Sequence, residues 1–416
     1  MFELQNEIRQ SDWGSRSVIA KLTGRNHPTE SPEAELWLGA HPLASSKILC
    51  HSGDQLAEME LAALIDADPI KHLGPALHAE YGTRLPFLFK VLAADSPLSI
   101  QAHPNRTQAR AGFEREEAQG IDRDDPMRNY KDSWPKPELF VAMSQCDVLC
   151  GFRGAEEASQ ILARLGIRLL TPYVASLLTG NPADGMRVAV TTLLSLPRPK
   201  QTELVGRVVE ESKRLVARLG PDDDDARAYL CAIELGSTYP ADIGVVLSLM
   251  LRLITLAPLQ AVFLGAGQMH AYLKGWGLEA QANSDNTLRC GLTRKHIDVA
   301  ELLRILDFDP TPSPVIDVRE LGPEAGDAAG MLTWPTDARE FDLCMASVNG
   351  SVVALRAAGP QIVLCLEGAV TLRSGKERID LRRGGSVYIE NAELQVDLSG
   401  HGKIARVCAG RVARSH

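Results

Sequence analysis

The chain has 416 residues, 45% of them hydrophobic and 23% charged, and a formal net charge of −9 at pH 7. That length exceeds one ordinary domain and predicts two or three, with the composition of a soluble globular protein. With no basic stripe to offset the negative charge, nucleic acid is excluded as the main partner, and an anionic ligand would need a local cluster of Lys and Arg.

Eight cysteines (Cys50, Cys146, Cys150, Cys231, Cys290, Cys344, Cys365 and Cys408) form no C-x-x-C pair. Their apolar surroundings predict buried, reduced thiols, which suit the cytoplasm. The first residues, Met1-Phe-Glu-Leu, include an acidic group and start no apolar segment, which speaks against a signal peptide. The longest apolar run, Ile243 to Ala257, reads as one core helix containing Arg252. It falls short of the roughly 20 residues a bilayer span requires, so no membrane partner is expected.

In chain order, residues 1 to about 150 show short apolar runs broken by Gly, Pro and polar turns, a β-rich texture with a few helices. Leu56 to Asp66 has helical spacing. Leu85-Pro-Phe-Leu-Phe-Lys-Val-Leu92 reads as a buried strand. If Ser99-Ile-Gln-Ala-His103 is extended, its period of two places Ser99, Gln101 and His103 on one face. Arg106 to Gly120 is expected as an exposed helix with Glu114, Glu116 and Glu117 on its polar side. Glu138 follows Pro137 and enters the apolar run Leu139-Phe140.

From residue 154 to 257 the spacing turns helical, with breakers at Gly180-Asn-Pro182, Pro197-Arg-Pro199, Gly220-Pro221 and Tyr239-Pro240, which predicts an insertion of several short helices. Asp222 to Asp225 lacks the spacing of a calcium loop and suits a solvated helix N-terminus. Strand texture returns at Pro258: Ala261 to Leu264, the turn Gly265-Ala-Gly-Gln268, then Met269-His270-Ala-Tyr272. Residues 298 to 306 suit a helix and Thr311 to Ala329 a linker. From about Glu340 to Arg411 short strands alternate with glycine turns, a small jelly roll with cupin-like spacing. No histidine lies between Val315 and Gly400, so this barrel is expected to hold no metal.

Two imidazoles (His103, His270), one carboxylate (Glu138) and one amide oxygen (Gln101) suit Zn²⁺ with an exchangeable position. Each residue also has a plainer role: His103 can fill a core, and Gln101 can satisfy backbone groups. Glu138 weighs toward a site, because a buried carboxylate without a partner is costly. Arg289, flanked by Leu288 and Cys290, looks carried inward on a strand, and a buried guanidinium needs an anion. Lys90 and Lys136 either serve the same site or reach solvent along their stems.

At this point the sequence resembles the type I mannose-6-phosphate isomerase (phosphomannose isomerase) family over nearly its whole length. The matching stretches are Asp12-Trp-Gly-Ser15, Ala34 to Pro42, Pro86 to Leu92, Leu98-Ser-Ile-Gln-Ala-His-Pro104, Tyr130-Lys-Asp, Lys136-Pro-Glu138, Gly267-Gln-Met-His-Ala-Tyr272 and Ser284 to Lys295. The resemblance implies a mixed α+β fold. It comprises a discontinuous cupin-type β jelly-roll domain (1–153 and 258–310), an inserted all-helical domain (154–257), and a linker with a C-terminal cupin-like β-domain (311–416). It implies one zinc per chain at Gln101, His103, Glu138 and His270. The implied reaction interconverts mannose 6-phosphate and fructose 6-phosphate through an enediol, supplying mannose phosphate for GDP-mannose and glycan synthesis or feeding mannose into glycolysis.

Arg289 takes the place of the family's active-site arginine. Lys136, its pKa expected to be depressed, and Glu279 are the candidates for the base; Ser99, Lys90 and Tyr272 are the expected sugar-phosphate contacts. A cytoplasmic monomer is expected. Ser133-Trp-Pro135 departs from the family's usual Asn-His approach to Lys-Pro-Glu, and the helical part carries no family signature. Two other readings compete: a non-catalytic sugar-phosphate-binding cupin, against which the Arg289 cluster stands, and an iron-dependent cupin oxygenase, against which Gln101 stands.

Overall fold

The computed structural model describes the chain except residues 53–54, 221–222, 312–313, 323–329, 356–358, 394 and 411–416, and the side chains of 49–57 and 224. The architecture is mixed α+β, and the alternation of apolar residues along its strands decides the layering. In Cys146–Phe152, Val148 and Cys150 face one side while Leu149 faces the other. Such a strand is buried on both faces and must be covered twice. Helices cover one face, a second sheet the other, and the C-terminal β-sandwich packs beyond that second sheet.

All the strand pairs are antiparallel. One sheet runs Val315–Ile316, Ala261–Leu264, Glu138–Ala142, His270–Ala282, Phe87–Ala94, and then Glu7–Ser15 with Glu33–Leu38. Facing it are Leu251–Leu256, Cys146–Phe152, the start of His270–Ala282, Ile100–Ala102 and Leu288–Gly291. The 13-residue strand His270–Ala282 therefore serves both sheets. It changes over at an irregularity beside Gly275, whose φ is +106° and where a Cβ would stand 2.5 Å from the Gln145 carbonyl oxygen. Only glycine takes that conformation without strain.

The helices Ala155–Arg164, Thr171–Leu177, Pro182–Leu194, Arg198–Leu219, Asp224–Thr238 and Gly244–Ser248 bury their apolar faces on the outer side of the Gln101 sheet, against Leu149, Ala271, Leu288 and Cys290. Arg198–Leu219 is 22 residues long, not one of several short helices. Asp223 caps the next helix by accepting from the amides of Asp225 and Ala226, which is the solvated N-terminus expected of the acidic run; Asp222 lies outside the described residues. The C-terminal sandwich is built around Gln361–Ser374 and Val396–Cys408, flanked by Asp342–Asn349 and Ser386–Ile389.

Several expectations are corrected. Leu56 to Asp66 is not one helix: the chain runs as a strand over Gln55–Glu60 and turns helical at Leu61–Ala67. The apolar run from Ile243 is a five-residue helix, Gly244–Ser248, followed by the strand Leu251–Leu256, so strand structure returns before Pro258. Apolar residues on both faces, Leu253 and Ile254 side by side, blur the alternation that would have marked that strand. The helix Arg106–Ala118 is not uniformly polar outward, since Glu116 is buried and accepts from the amides of Asn129 and Tyr130.

Phe2–Gln5, Lys47–Ser52 and Gln55–Glu60 join the C-terminal sheet through Ser386–Ile389, although the sequence groups them with the first β-region. Within the expected linker, Val315–Ile316 adds to the first sheet and Arg319–Glu320 pairs with Leu332–Thr333; residues 312–313 and 323–329 lie outside the described residues. Seven cysteines are buried and unpaired, as expected, while the side chain of Cys50 lies outside the described residues. Among the described residues no helix is long and apolar enough to cross a membrane.

Candidate active site

The site forms where the shared strand joins the two sheets. Gln101 sits in Ile100–Ala102 with His270 directly opposite on one neighbour and Arg289 directly opposite on the other. Directly opposed side chains share a face, so these three form one row. His103 follows the strand, and its carbonyl oxygen accepts from the amide of Gly267 (2.8 Å), tying it to the turn that leads into His270. Glu138 opens its strand opposite Gln281 and reaches the row from the other sheet.

His103, Glu138 and His270 are all buried, with one ligating atom from each lying within 4.8 Å of the others. Nε2 of His103 is 3.3 Å from Oε1 of Glu138, and Nε2 of His270 is 3.5 Å from Oε2. Each imidazole uses Nδ1 on a backbone carbonyl, His103 on Asn286 (2.8 Å) and His270 on Gln268 (3.0 Å). Those bonds place the proton on Nδ1 and direct the Nε2 lone pair inward. Burial, followed by the charge of Lys136, lowers the pKa of His103; burial, followed by His103, pushes His270 down to about 4.

Both rings therefore stay neutral and able to ligate. Nε2 of His103 has no hydrogen-bond partner, an orphaned buried atom aimed at a carboxylate, and a metal ion resolves that arrangement. The Gln101 amide lies 3.4 Å from Nε2 of His270; a half-turn of the amide presents its oxygen to the same space.

Around this centre the charges form a chain. Lys136 donates to Oε1 of Glu138 at 2.6 Å. Burial alone would raise the Glu138 pKa, but Lys136 and then the imidazoles hold it well below the usual carboxylate range. Tyr272 donates to Oε2 of Glu138 at 3.4 Å and packs its ring on Phe140. Lys90 does not reach solvent: it lies 3.2 Å from both Glu35 and Glu279. Burial works against its charge, and the two carboxylates overcome that and raise its pKa. Burial, then the charge of Glu138, pushes Glu279 up to about 7 against the pull of Lys90.

Arg289 makes no ion pair or hydrogen bond among the described residues, and burial lowers its pKa. Ser99 is half-buried beside the strand, its side chain without a hydrogen bond among the described residues. The structure thus brings Gln101, His103, Glu138, His270, Tyr272 and Lys136 to one centre, with Lys90 and Glu279 as a paired wall.

The sequence reading passed over four participants. Glu35 holds Lys90. Asn286 orients His103 and, through its side chain, holds the amide of Lys131 and the carbonyls of Asp132 and Trp134. Lys295, lowered by burial and then by Arg289, adds a second cation whose side chain has no ion pair or hydrogen bond among the described residues. Asp285 meets His41. For the last three, the signal in the sequence is the dense polar run Asn283 to Lys295, carried between apolar strands.

A family model described as "Phosphomannose isomerase type I, catalytic domain" matches residues 1–155, and one described as "Mannose-6-phosphate isomerase, cupin domain" matches residues 331–409. The mannose-6-phosphate isomerase of Shigella flexneri is 34% identical, the match covering 98% of this chain and 99% of the relative. That of Homo sapiens is 32% identical over 94% and 93%. A variant of the phosphomannose isomerase from Salmonella typhimurium superposes with a TM-score of 0.87 at 32% identity, covering 99% of this chain and 100% of that one. A zinc-bound mannose 6-phosphate isomerase gives 0.86 at 32% identity, with 99% of each chain covered. With a buried His-Glu-His centre inside a fold shared from end to end with these enzymes, the chain belongs to the type I mannose-6-phosphate isomerase family.

Proposed function

We propose that this chain is a zinc-dependent aldose–ketose isomerase that interconverts mannose 6-phosphate and fructose 6-phosphate. The observation that carries the reading is the buried His103–Glu138–His270 centre with the unpaired Arg289 in the same side-chain row. The donor set of two neutral imidazoles, a carboxylate and the Gln101 amide fits Zn²⁺. When bound there, zinc supplies Lewis-acid stabilisation of negative charge on the sugar oxygens, with no proton donated.

The chain's own residues do the rest. The reaction moves a proton between C1 and C2, and its barrier lies in forming a carbanion beside a carbonyl. Glu279, held near neutrality in its pKa, is matched to accepting and returning that proton. Lys90 fixes its carboxylate at 3.2 Å. Lys136, bound to Glu138, orients the metal-facing carboxylate and is the second candidate for the proton carrier. Arg289, always protonated, offers a fixed charge to the enediolate. Together with Lys295 it makes a cationic corner that suits the phosphate, and Tyr272 and Ser99 offer hydroxyls to the sugar. Because Lys90 already holds two carboxylates, it is a positioning group in this reading rather than a phosphate contact.

The same reading makes the protein a cytoplasmic monomer, to which the reduced, buried thiols are suited. The decisive experiment is a coupled isomerase assay before chelation, after chelation, and after zinc is restored. Loss and recovery are expected. Undiminished turnover by protein shown to be metal-free would end the zinc reading.

A further inference from the structure

We propose that His41 is a positioning residue that holds the carboxylate of Asp285 with one oxygen free for a sugar hydroxyl; this rests on the sugar-phosphate reading above. His41 Nε2 lies 3.3 Å from Oδ2 of Asp285. Its Nδ1 accepts from the amide of Leu43 at 3.2 Å, which forces the proton onto Nε2 and aims it at Asp285. The ring is clamped on its other side by Trp37, edge-on at 4.8 Å and 74°. With its side chain 2% exposed, His41 cannot meet a substrate itself and can act only through its partner.

Asp285 is different: its side chain is 28% exposed, and nothing among the described residues donates to its second oxygen. Its loop is already fixed, since its own amide donates to Oδ2 of Asp132 at 3.1 Å and the adjoining Ser284 and Asn286 are tied to Asp132 and Trp134. The remaining freedom is the carboxylate's rotation, and the His41 bond removes it.

The charges around the site point to what Asp285 receives. Glu138 is bound to Lys136, and Glu35 and Glu279 are bound to Lys90. Asp285 has only an imidazole N–H, so its negative charge is not neutralised by direct contact. Burial would raise its pKa, but the His41 bond and the more distant Lys136 and Lys90 keep it below the usual value and ionised. An ionised, half-satisfied carboxylate within the field of Lys136 and Lys90, the site's own cations, is suited to accept hydrogen bonds from sugar hydroxyls. It repels the phosphate, so it also orients the sugar with its phosphate end toward Arg289.

The test is a double-mutant cycle on the zinc-loaded full-length protein, using His41→Ala, Asp285→Ala and both together. Calorimetric binding of mannose 6-phosphate is the readout, with turnover measured in parallel. Each single change is expected to weaken binding by about tenfold, the worth of one charge-assisted hydrogen bond. The double variant should bind no worse than Asp285→Ala, because His41 acts through Asp285. His41→Gln, which can place an amide N–H where Nε2 stood, should recover most of the affinity. If His41→Ala does not fold, His41→Asn, too short to reach Asp285, takes its place in the cycle. Losses that multiply in the double variant, or His41 variants that bind like wild type, overturn the proposal. Wild-type binding without turnover would sink the isomerase reading and leave the cycle interpretable; no wild-type binding would overturn both.

Discussion

Glu138 meets four groups at once: Lys136 and His103 at one oxygen, His270 and Tyr272 at the other. Arg289 meets none, and that contrast separates metal binding from charge stabilisation. Arg289→Ala is expected to lower kcat/KM by about 10²–10³-fold, as removal of one preorganised stabilising donor does, with zinc content by atomic emission unchanged. Zinc lost in step with activity would place Arg289 in the metal site instead. A second expectation concerns pH. Glu279 is raised from the ordinary carboxylate value to about 7, so it protonates and loses its basic form as pH falls through that value. Bound zinc would offset part of the Glu138 charge and lower the midpoint. The kcat/KM profile should therefore fall on its acid side with a midpoint at or below about 7, and Glu279→Gln should remove activity by about 10²-fold or more. An unchanged rate in Glu279→Gln would transfer the proton to Lys136. The ligand residues were legible because period-two spacing and the cost of a lone buried carboxylate are local facts. The pairings Glu35–Lys90 and His41–Asp285 were not, because strand register and loop contacts bring together residues 55 and 244 positions apart.

At the scale of elements, the strand His270–Ala282 and its glycine govern the site. Gly275→Val puts a branched side chain at φ +106° against Gln145 and Cys146. The strain alone costs about 1–3 kcal/mol, and the clash adds to it. A lower melting temperature together with weaker zinc retention is expected by thermal denaturation and metal analysis, since His270 stands on one side of the glycine and Glu279 on the other. A variant as stable as wild type would show that the kink is not required. The elements misread from sequence share one cause. In Gln55 to Ala67, apolar residues satisfy strand alternation and helical spacing over the same few positions, and only the pairing of Met59 with Ile48 decides between them. Leu251–Leu256 lies in a long, mostly apolar run interrupted only by Ser248, Arg252 and Thr255, too few polar positions to show a period.

For the molecule as a whole, the first and last parts of the chain share a sheet and an apolar layer. Phe2 and Leu4 pair into the sheet that contains Tyr388, and Leu4, Ile48, Ile362, Leu364 and Val407 share an apolar layer with Phe87, Phe89 and Leu139. A single cooperative calorimetric transition is therefore expected rather than separate melting of a catalytic and a C-terminal domain. A fragment starting at residue 331 would expose that layer and should aggregate; a soluble, folded fragment with its own sharp transition would refute the coupling. The broad order of β-rich region, helical region and final β-sandwich was readable from composition and spacing. The stitching by residues 2–5 and 47–60 was not, because a strand's partner lies outside its own sequence.

The kink in His270–Ala282 has a consequence for how this protein could lose function. Before it, even-numbered residues face the cavity, as His270 and Tyr272 do; after it, odd-numbered ones do, as Glu279 does opposite Lys90. A uniform strand would aim one of these sets away. Straightening the irregularity without changing the number of residues would leave His270 in place and turn Glu279, nine positions further along, to the opposite face. The result would be a protein that fills with zinc and does not turn over, so metal occupancy alone would not report a working enzyme.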